Sequence, residues 1–259
     1  MLHFFAEFLF HCVVRGFFAL LSPRLKEKTV PGGVATHYFR QRAILLQEHP
    51  TGPCDLFSSR FAGEAVGRSA EAWPVYEAMG PHTKAPEEVP LFFLGQINVG
   101  ELPFVPESLK GLALISIFVD PEFRNPERCL VRAYESIDGL VALPAPLGVT
   151  PRAPCAMDFE MCEDAPCVRD PALADFSEGV RELVSSHHVL ASKIGCYVSF
   201  FQDPPLGYLE NHPAKPKFCL QLFAIEGLKV GWVDAGAFYL ARGTAPGHTH
   251  EWFCDIQFH

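Results

Sequence analysis

Two segments of the chain repeat the same order of residue types, and this repeat constrains the fold more than any other feature. Each has a serine, a basic residue and an apolar residue before a glycine, then an apolar run with a glutamine, then a glycine that leads a second apolar run. The residues concerned are Ser59, Arg60, Gln96 and Gly111 in the first segment and Ser192, Lys193, Gln221 and Gly236 in the second. In both, glutamine and later glycine are fifteen residues apart. Because a shift of one residue turns the side chains of a strand to the other face, the equal spacing predicts two related sheet units in which Gln96 matches Gln221 and Gly111 matches Gly236.

The units are expected to be built from short strands and turns. Proline and glycine contribute 23 and 20 of the 259 residues, a density that favours short elements over long helices. Apolar runs bounded by turn residues predict strands at 42–47, 90–97, 112–119, 129–134, 196–201, 218–225, 237–240 and 252–258. The fold class predicted is α+β, internally duplicated, with mainly antiparallel or mixed sheets and a few flanking helices.

The two units, at about residues 55–141 and 190–258, are expected to be joined by a crossover. Residues 143–172 carry six prolines and are predicted to be this crossover loop. A helix is predicted to follow, with Asp170 as its N-cap and apolar residues on one face.

The first 22 residues are predicted to form an amphipathic helix packed on a single domain at 23–259. They are very apolar, but Glu7 and Arg15 interrupt the run and no basic residue precedes it, which argues against a signal peptide. Attachment to a membrane surface is the alternative, and a membrane span is not expected.

Charge and cysteine usage limit the partners and the compartment. The formal net charge of −9 argues against general nucleic-acid binding and suits a basic protein partner or a small polar ligand. The nine cysteines are an odd number scattered over the chain, which predicts reduced thiols in a cytoplasmic protein.

Motifs in both units resemble those of the YwqG-like family, in which S-K-x-G-G-x-P is followed by W-P, by F-x-x-Q-I and by a glycine-led strand. The matching stretches are SRFAG (59–63), Trp73-Pro74, PLFFLGQI (90–97), SKIGCYVSFFQDP (192–204), Leu220-Gln221 and WVDAG (232–236). The resemblance covers about residues 55 to 258. It implies a duplicated α+β fold in a bacterial cytosolic protein and no established activity.

The sequence departs from the family pattern at the doubled glycines. Glu64 stands at the second glycine of the first element, with Ala65 in place of its proline. Cys196 stands at the second glycine of the later element, and Tyr197-Val198 replaces the family's Tyr-Pro. A function that needs the doubled glycines is therefore not implied for this chain.

No motif for a known catalytic chemistry is present. The sequence has no nucleophile elbow, P-loop, HExxH or dinucleotide fingerprint, and no cofactor is predicted. His248 and His250 would share a face on a strand and are weak candidates for metal ligands, with a solvent-exposed turn as the alternative. The adjacent His187 and His188 should point in different directions at the end of the predicted helix, so both cannot serve one site.

The repeat itself supplies the candidate ligand-binding residues. These are Arg60, Gln96, Lys193, Gln202, Gln221 and Asp234. A structural role is the alternative for each, since buried amides and charges need partners. The function predicted is a non-enzymatic binding or protein-interaction module. The alternative is a hydrolase or another small-molecule enzyme with a site in the cleft between the two halves, near Arg60 and Lys193.

Overall fold

A computed structural model describes residues 39–52, 54–79, 86–199, 201–202, 211–230, 232 and 236–257. Of these residues 38% are in strands and 12% are helical, with one α-helix. The expected α+β class is therefore wrong, because the described chain is a β fold. The predicted helix at 1–22 lies outside the described residues.

Most strands belong to one large sheet. The strands of the described chain are β1 (Gln41–His49), β2 (Arg60–Phe61), β3 (Val66–Arg68), β4 (Val75–Met79), β5 (Pro86–Pro90), β6 (Phe92–Asn98), β7 (Leu114–Val119), β8 (Leu130–Tyr134), β9 (Leu140–Ala142), β10 (Cys155–Asp164), β11 (Lys193–Ile194), β12 (Lys217–Leu222), β13 (Ala237–Arg242) and β14 (Trp252–Gln257). Ten of them form an antiparallel sheet in the order β14-β13-β12-β11-β1-β10-β2-β6-β7-β8. Strands β3 and β9 form one separate pair, and β4 and β5 form another.

The helical segments of the described chain are short. The α-helix, α1, spans Glu178–Ser185. The 3-10 helices are Val99–Glu101, Glu107–Leu109, Pro126–Arg128, Pro171–Leu173 and Glu226–Leu228. The side chain of Asp170 accepts a hydrogen bond from the Ala172 N–H, as predicted for an N-cap, but it begins the 3-10 turn and not α1.

The two sides of the large sheet have similar layouts: from the edge inward, each has three consecutive strands of the chain, then a two-residue strand, then a long central strand. One side runs β8-β7-β6-β2-β10 and the other runs β14-β13-β12-β11-β1. The two central strands pair with each other from Gln41 opposite Asp164 to His49 opposite Ala156. The division of the chain into two related units stays a prediction, which this order supports, although β1 and β10 lie outside both predicted ranges.

The pairing register supports only part of the expected correspondence. Gln96 on β6 pairs with Ser116 on β7, and Gln221 on β12 pairs with Tyr239 on β13. Ser116 lies five residues after Gly111, whereas Tyr239 lies three residues after Gly236. The register therefore does not bring Gly111 onto Gly236, and the equal spacing of fifteen is not a structural equivalence.

The segment predicted to be a crossover loop contains a central strand. β10 spans ten residues in the middle of the large sheet, so the prediction of a loop at 143–172 is wrong for Cys155–Asp164. Its sequence, CAMDFEMCED, has charged residues at several exposed positions, and the prolines lie on either side of it. The proline density therefore hid a half-exposed strand.

The sheet curls until its two edges approach each other. One core cluster contains Val131 from β8 together with Ile256 from β14, the strands at opposite edges. Cys129, just before β8, and Cys254, on β14, pack against the same cluster. No disulfide joins the cysteines within the described residues. No helix in the described part of the chain is long and apolar enough to cross a membrane.

Candidate functional site

Arg60, on β2, is a buried cation that holds a loop together. Its side chain lies inside the fold, with the residue 2% exposed, and burial lowers the pKa of its guanidinium. Its nitrogens donate to the carbonyls of Asp55 at 2.9 Å, Leu56 at 2.7 Å, Ser58 at 3.1 Å and Glu64 at 2.6 Å. The hydrogen bonds of the guanidinium are therefore accepted by backbone carbonyls of the same half.

Lys193, on β11, is the buried cation of the other half. Its Nζ donates to Oδ2 of Asp164 at 2.7 Å and to the Val189 carbonyl at 2.7 Å, and both charged side chains are fully buried. Burial lowers the pKa of Lys193, and the negative charge of Asp164 opposes that shift. Burial would raise the pKa of Asp164, but hydrogen bonds and charge from His188 and Lys193 bring it below the ordinary value. These hydrogen bonds and charges therefore favour the carboxylate form of Asp164, which faces Lys193.

Each buried cation lies opposite one of the repeated glutamines. Arg60 pairs with Gln96 across β2 and β6, and Lys193 pairs with Gln221 across β11 and β12. The two pairs lie on opposite sides of β1 and β10. The structure therefore brings the four residues together as two separate pairs and not as one site.

The glutamines make one matching contact and one that differs. Gln96 Nε2 donates to the Ser58 carbonyl at 3.0 Å, and Gln221 Nε2 donates to the Ala191 carbonyl at 2.9 Å. Ser58 and Ala191 each precede the repeated serine. Gln221 Oε1 accepts from the Ser199 N–H at 2.8 Å, whereas Gln96 Oε1 is buried without a partner among the described residues. The four repeat residues thus do structural work in two related settings.

The turn after each basic residue has two consecutive left-handed positions. The φ angles are 53° at Ala62, 82° at Gly63, 73° at Gly195 and 69° at Cys196. These two pairs occupy the doubled-glycine positions of the family pattern. Glu64, which the resemblance placed at the second glycine, follows the first pair, whereas Cys196 is the second residue of the other pair.

The two adjacent histidines point to different partners, as predicted, and one of them enters a buried polar network. His187 contacts the Arg40 guanidinium. His188 Nε2 lies 2.8 Å from Ser199 Oγ, and its Nδ1 lies 2.7 Å from the Ala165 carbonyl and 3.4 Å from Asp164 Oδ1. Sequence reasoning missed this serine–histidine–aspartate arrangement, because its members are remote in the chain and no motif marks them.

The arrangement resembles a nucleophilic triad in composition but not in access. Ser199 is 2% exposed, and its Oγ also lies 3.1 Å from Gln221 Nε2. The nearest acceptor for His188 Nδ1 is a backbone carbonyl and not the carboxylate. A nucleophile must reach a reacting carbon, and the imidazole must be oriented by its partner. These contacts better fit a buried network that fixes the 186–199 segment to β12.

An open cavity of about 630 Å³ lies where the two halves of the chain meet. We call it the junction pocket. One wall is the segment 104–110 between β6 and β7, and the others are the start of β1, the start of β12 and the turn after β11. The residues used below are Arg42, Phe104, Lys110, Cys196, Lys217 and Phe218.

A buried arginine fixes the wall at 104–110 in place. Arg242, on β13, donates from Nη1 to the Ser108 carbonyl at 3.1 Å and to the Lys110 carbonyl at 3.2 Å. The same side chain donates from Nε to the Thr249 carbonyl at 2.7 Å. Arg242 therefore joins a segment of the first half to the second half and holds the pocket open between them.

The cations of the junction pocket differ from those expected from the sequence. Arg60 and Lys193 were predicted to be the nearest cations, but neither lines the pocket. Arg42, Lys110 and Lys217 line it instead. They lie at strand starts and at a turn in remote parts of the chain, so only the tertiary fold groups them.

Gln202, His248 and His250 do not line this pocket. Gln202 is exposed, and Asp234 lies outside the described residues. His248 Nδ1 contacts Glu251 Oε1 at 2.6 Å, and His250 is exposed. Within the described residues no group of three or more potential ligands could hold a metal ion.

No protein-family model matches the chain, and no curated protein matches it.

Proposed function

We propose that this chain is a non-enzymatic binding protein that holds a small polar ligand in the junction pocket. The observation that carries the proposal is the cavity of about 630 Å³ between the halves, which lies within the usual size range of ligand pockets. Its walls combine apolar rings with charged side chains, the usual mixture for a ligand site.

The chemistry of the walls favours binding over catalysis. Glu107 is the only acid among the described lining residues, and it is exposed and paired with Lys110 at 2.5 Å. Hydrogen bonding from Lys110 lowers the pKa of Glu107, which makes it a weak base. Burial raises the pKa of the Cys196 thiol, so the one lining cysteine is not a thiolate nucleophile. No acid–base pair therefore converges on the cavity within the described chain.

Amide chemical shifts of the isotope-labelled protein test the proposal with two probes, phenyl phosphate and phenyl glucoside. We expect at least one probe to shift amides of lining residues, and neither to release phenol. Val105→Trp, on the exposed wall, should abolish the shifts by filling the cavity. Leu147→Trp, at an exposed apolar position outside the pocket, is the matched control and should leave them unchanged. Shifts that survive Val105→Trp, or no shift with either probe, contradict the proposed function.

A hydrolase is the second candidate, and the contact of Ser199 with His188 is the observation that favours it. Its aspartate would be Asp164. The network is buried, so we expect no ester hydrolysis that depends on it.

Hydrolysis of p-nitrophenyl acetate separates the two candidates. We expect Ser199→Ala to hydrolyse the ester at the same rate as the wild type, and neither rate to exceed that of Ser116→Ala. Ser116 is a buried serine that bonds the Val66 carbonyl instead of a histidine, so it controls for loss of a buried hydroxyl. A rate lost in Ser199→Ala alone would favour the hydrolase.

A further inference from the structure

We propose that the junction pocket binds an organic phosphate monoester, with the phosphate on its cations and the organic group on its aromatic wall. This assignment rests on the proposed function and names the class of its ligand.

The charge of the pocket is opposite to that of the chain. The protein carries −9, yet the pocket is lined by three cations and one carboxylate, a net charge of about two positive. A phosphate monoester carries about −1.5 to −2 at neutral pH, which matches this charge, whereas a carboxylate carries only one negative charge. A cation-lined cleft in an acidic protein concentrates anions locally.

Two of the cations form no ion pair within the described residues, although the charge of Lys217 acts on Glu107. Neither Arg42 nor Lys217 forms an ion pair with any carboxylate that the structure describes. The Arg42 guanidinium lies 4.8 Å from the centre of the Phe104 ring. Such stacking positions the guanidinium plane and leaves its N–H edge available for the oxygens of a phosphate.

A backbone donor is also available at the wall. In the described chain the N–H of Cys196 has no acceptor, whereas the N–H of Gly63, at the corresponding position of the other half, donates to the Arg152 carbonyl at 3.1 Å. Cys196 lines the junction pocket. A phosphate oxygen would supply the acceptor that the other half supplies internally.

The size and apolar walls of the cavity call for more than an inorganic ion. Phe104, Val105 and Phe218 line it beside the cations, and Val105 is 46% exposed. A pocket of about 630 Å³ greatly exceeds the volume of one phosphate. An organic group on the ester would cover these side chains and remove apolar surface from water.

Titration of the full-length protein with three probes tests the assignment. We expect phenyl phosphate to bind at least about tenfold more tightly than phenyl glucoside or inorganic phosphate, and to weaken as salt increases. The double variant Arg42→Gln/Lys217→Gln should weaken phenyl phosphate by about tenfold to a hundredfold. Arg68→Gln/Arg124→Gln removes the same charge at exposed positions outside the pocket and should leave the affinity within about twofold.

The outcomes distinguish this assignment from the proposed function. If phenyl glucoside binds at the pocket as tightly as phenyl phosphate, or if Arg42→Gln/Lys217→Gln has no effect, the phosphate assignment is wrong and the binding function stands. If inorganic phosphate binds as tightly as phenyl phosphate, the aromatic wall does not contribute to binding and the assignment to an organic phosphate is wrong. If no probe shifts a lining amide, both proposals fail.

Discussion

Asp164→Asn should lower the free energy of unfolding by about 3–5 kcal/mol. The substitution removes the carboxylate charge that faces Lys193 Nζ at 2.7 Å, and both side chains are fully buried. An asparagine oxygen that keeps the bonds from the Ala165 and Val189 N–H groups would turn its NH2 group toward Lys193. In either orientation the charge of Lys193 would be buried without a counter-charge. Urea unfolding at pH 7 measures the loss.

Two further variants show whether the buried pair is the cause. Asp158→Asn breaks an exposed ion pair with His49 and should cost at most about 1 kcal/mol. Asp164→Asn/Lys193→Met removes both charges and should recover at least half of the loss, since no unpaired charge remains. A loss below 1 kcal/mol in Asp164→Asn, or additive losses in the double variant, would contradict this account.

The pH dependence of stability should report the same pair. The pKa of Asp164 is lower in the folded protein than its ordinary value of 3.8. Its contribution is therefore fully present above the unfolded pKa and is lost as the pH falls through the lower, folded pKa. We expect the wild type to lose more stability than Asp164→Asn as the pH falls below about 4.

The sequence identified the local patterns better than their partners in space. The apolar runs that became β6 and β7 could be recognised because nearly all of their residues are buried. β10 could not, since it alternates charged and apolar residues between proline-rich segments. Missing that central strand, and giving weight to a helical pattern that yielded only the eight residues of α1, produced the wrong fold class.

In the candidate site, too, the sequence identified individual residues but not their partners in space. The repeat correctly singled out Arg60, Gln96, Lys193 and Gln221 as unusual polar residues, and all four are buried. The spacing of these residues could not predict their hydrogen-bond partners. Arg60 binds carbonyls of the loops that flank β2, and Lys193 binds a carboxylate on β10. Arg42 and Lys217 carry no local signal of a binding site, because basic residues at the start of a strand are common.

Gln221→Leu should destabilise the protein more than Gln96→Leu, although the two glutamines occupy related positions. Gln221 accepts from the Ser199 N–H and donates to the Ala191 carbonyl, so leucine would leave a buried donor and an acceptor unpaired. Each unpaired group costs about 1–3 kcal/mol.

The lower cost of Gln96→Leu follows from the neighbouring arginine. Gln96 donates to the carbonyls of Leu56 and Ser58, and both also accept from Arg60 Nη1. Leucine would leave those carbonyls satisfied and would remove an Oε1 that has no partner among the described residues. We therefore expect Gln96→Leu to cost less than about 1 kcal/mol in the same urea unfolding measurement.

The double variant Arg60→Met/Gln96→Leu should lose more stability than the sum of the losses in the two single variants, because only then do both carbonyls lose every donor. Equal losses for the two leucine variants would mean that hydrogen bonds to the glutamine side chains do not decide their contribution to stability.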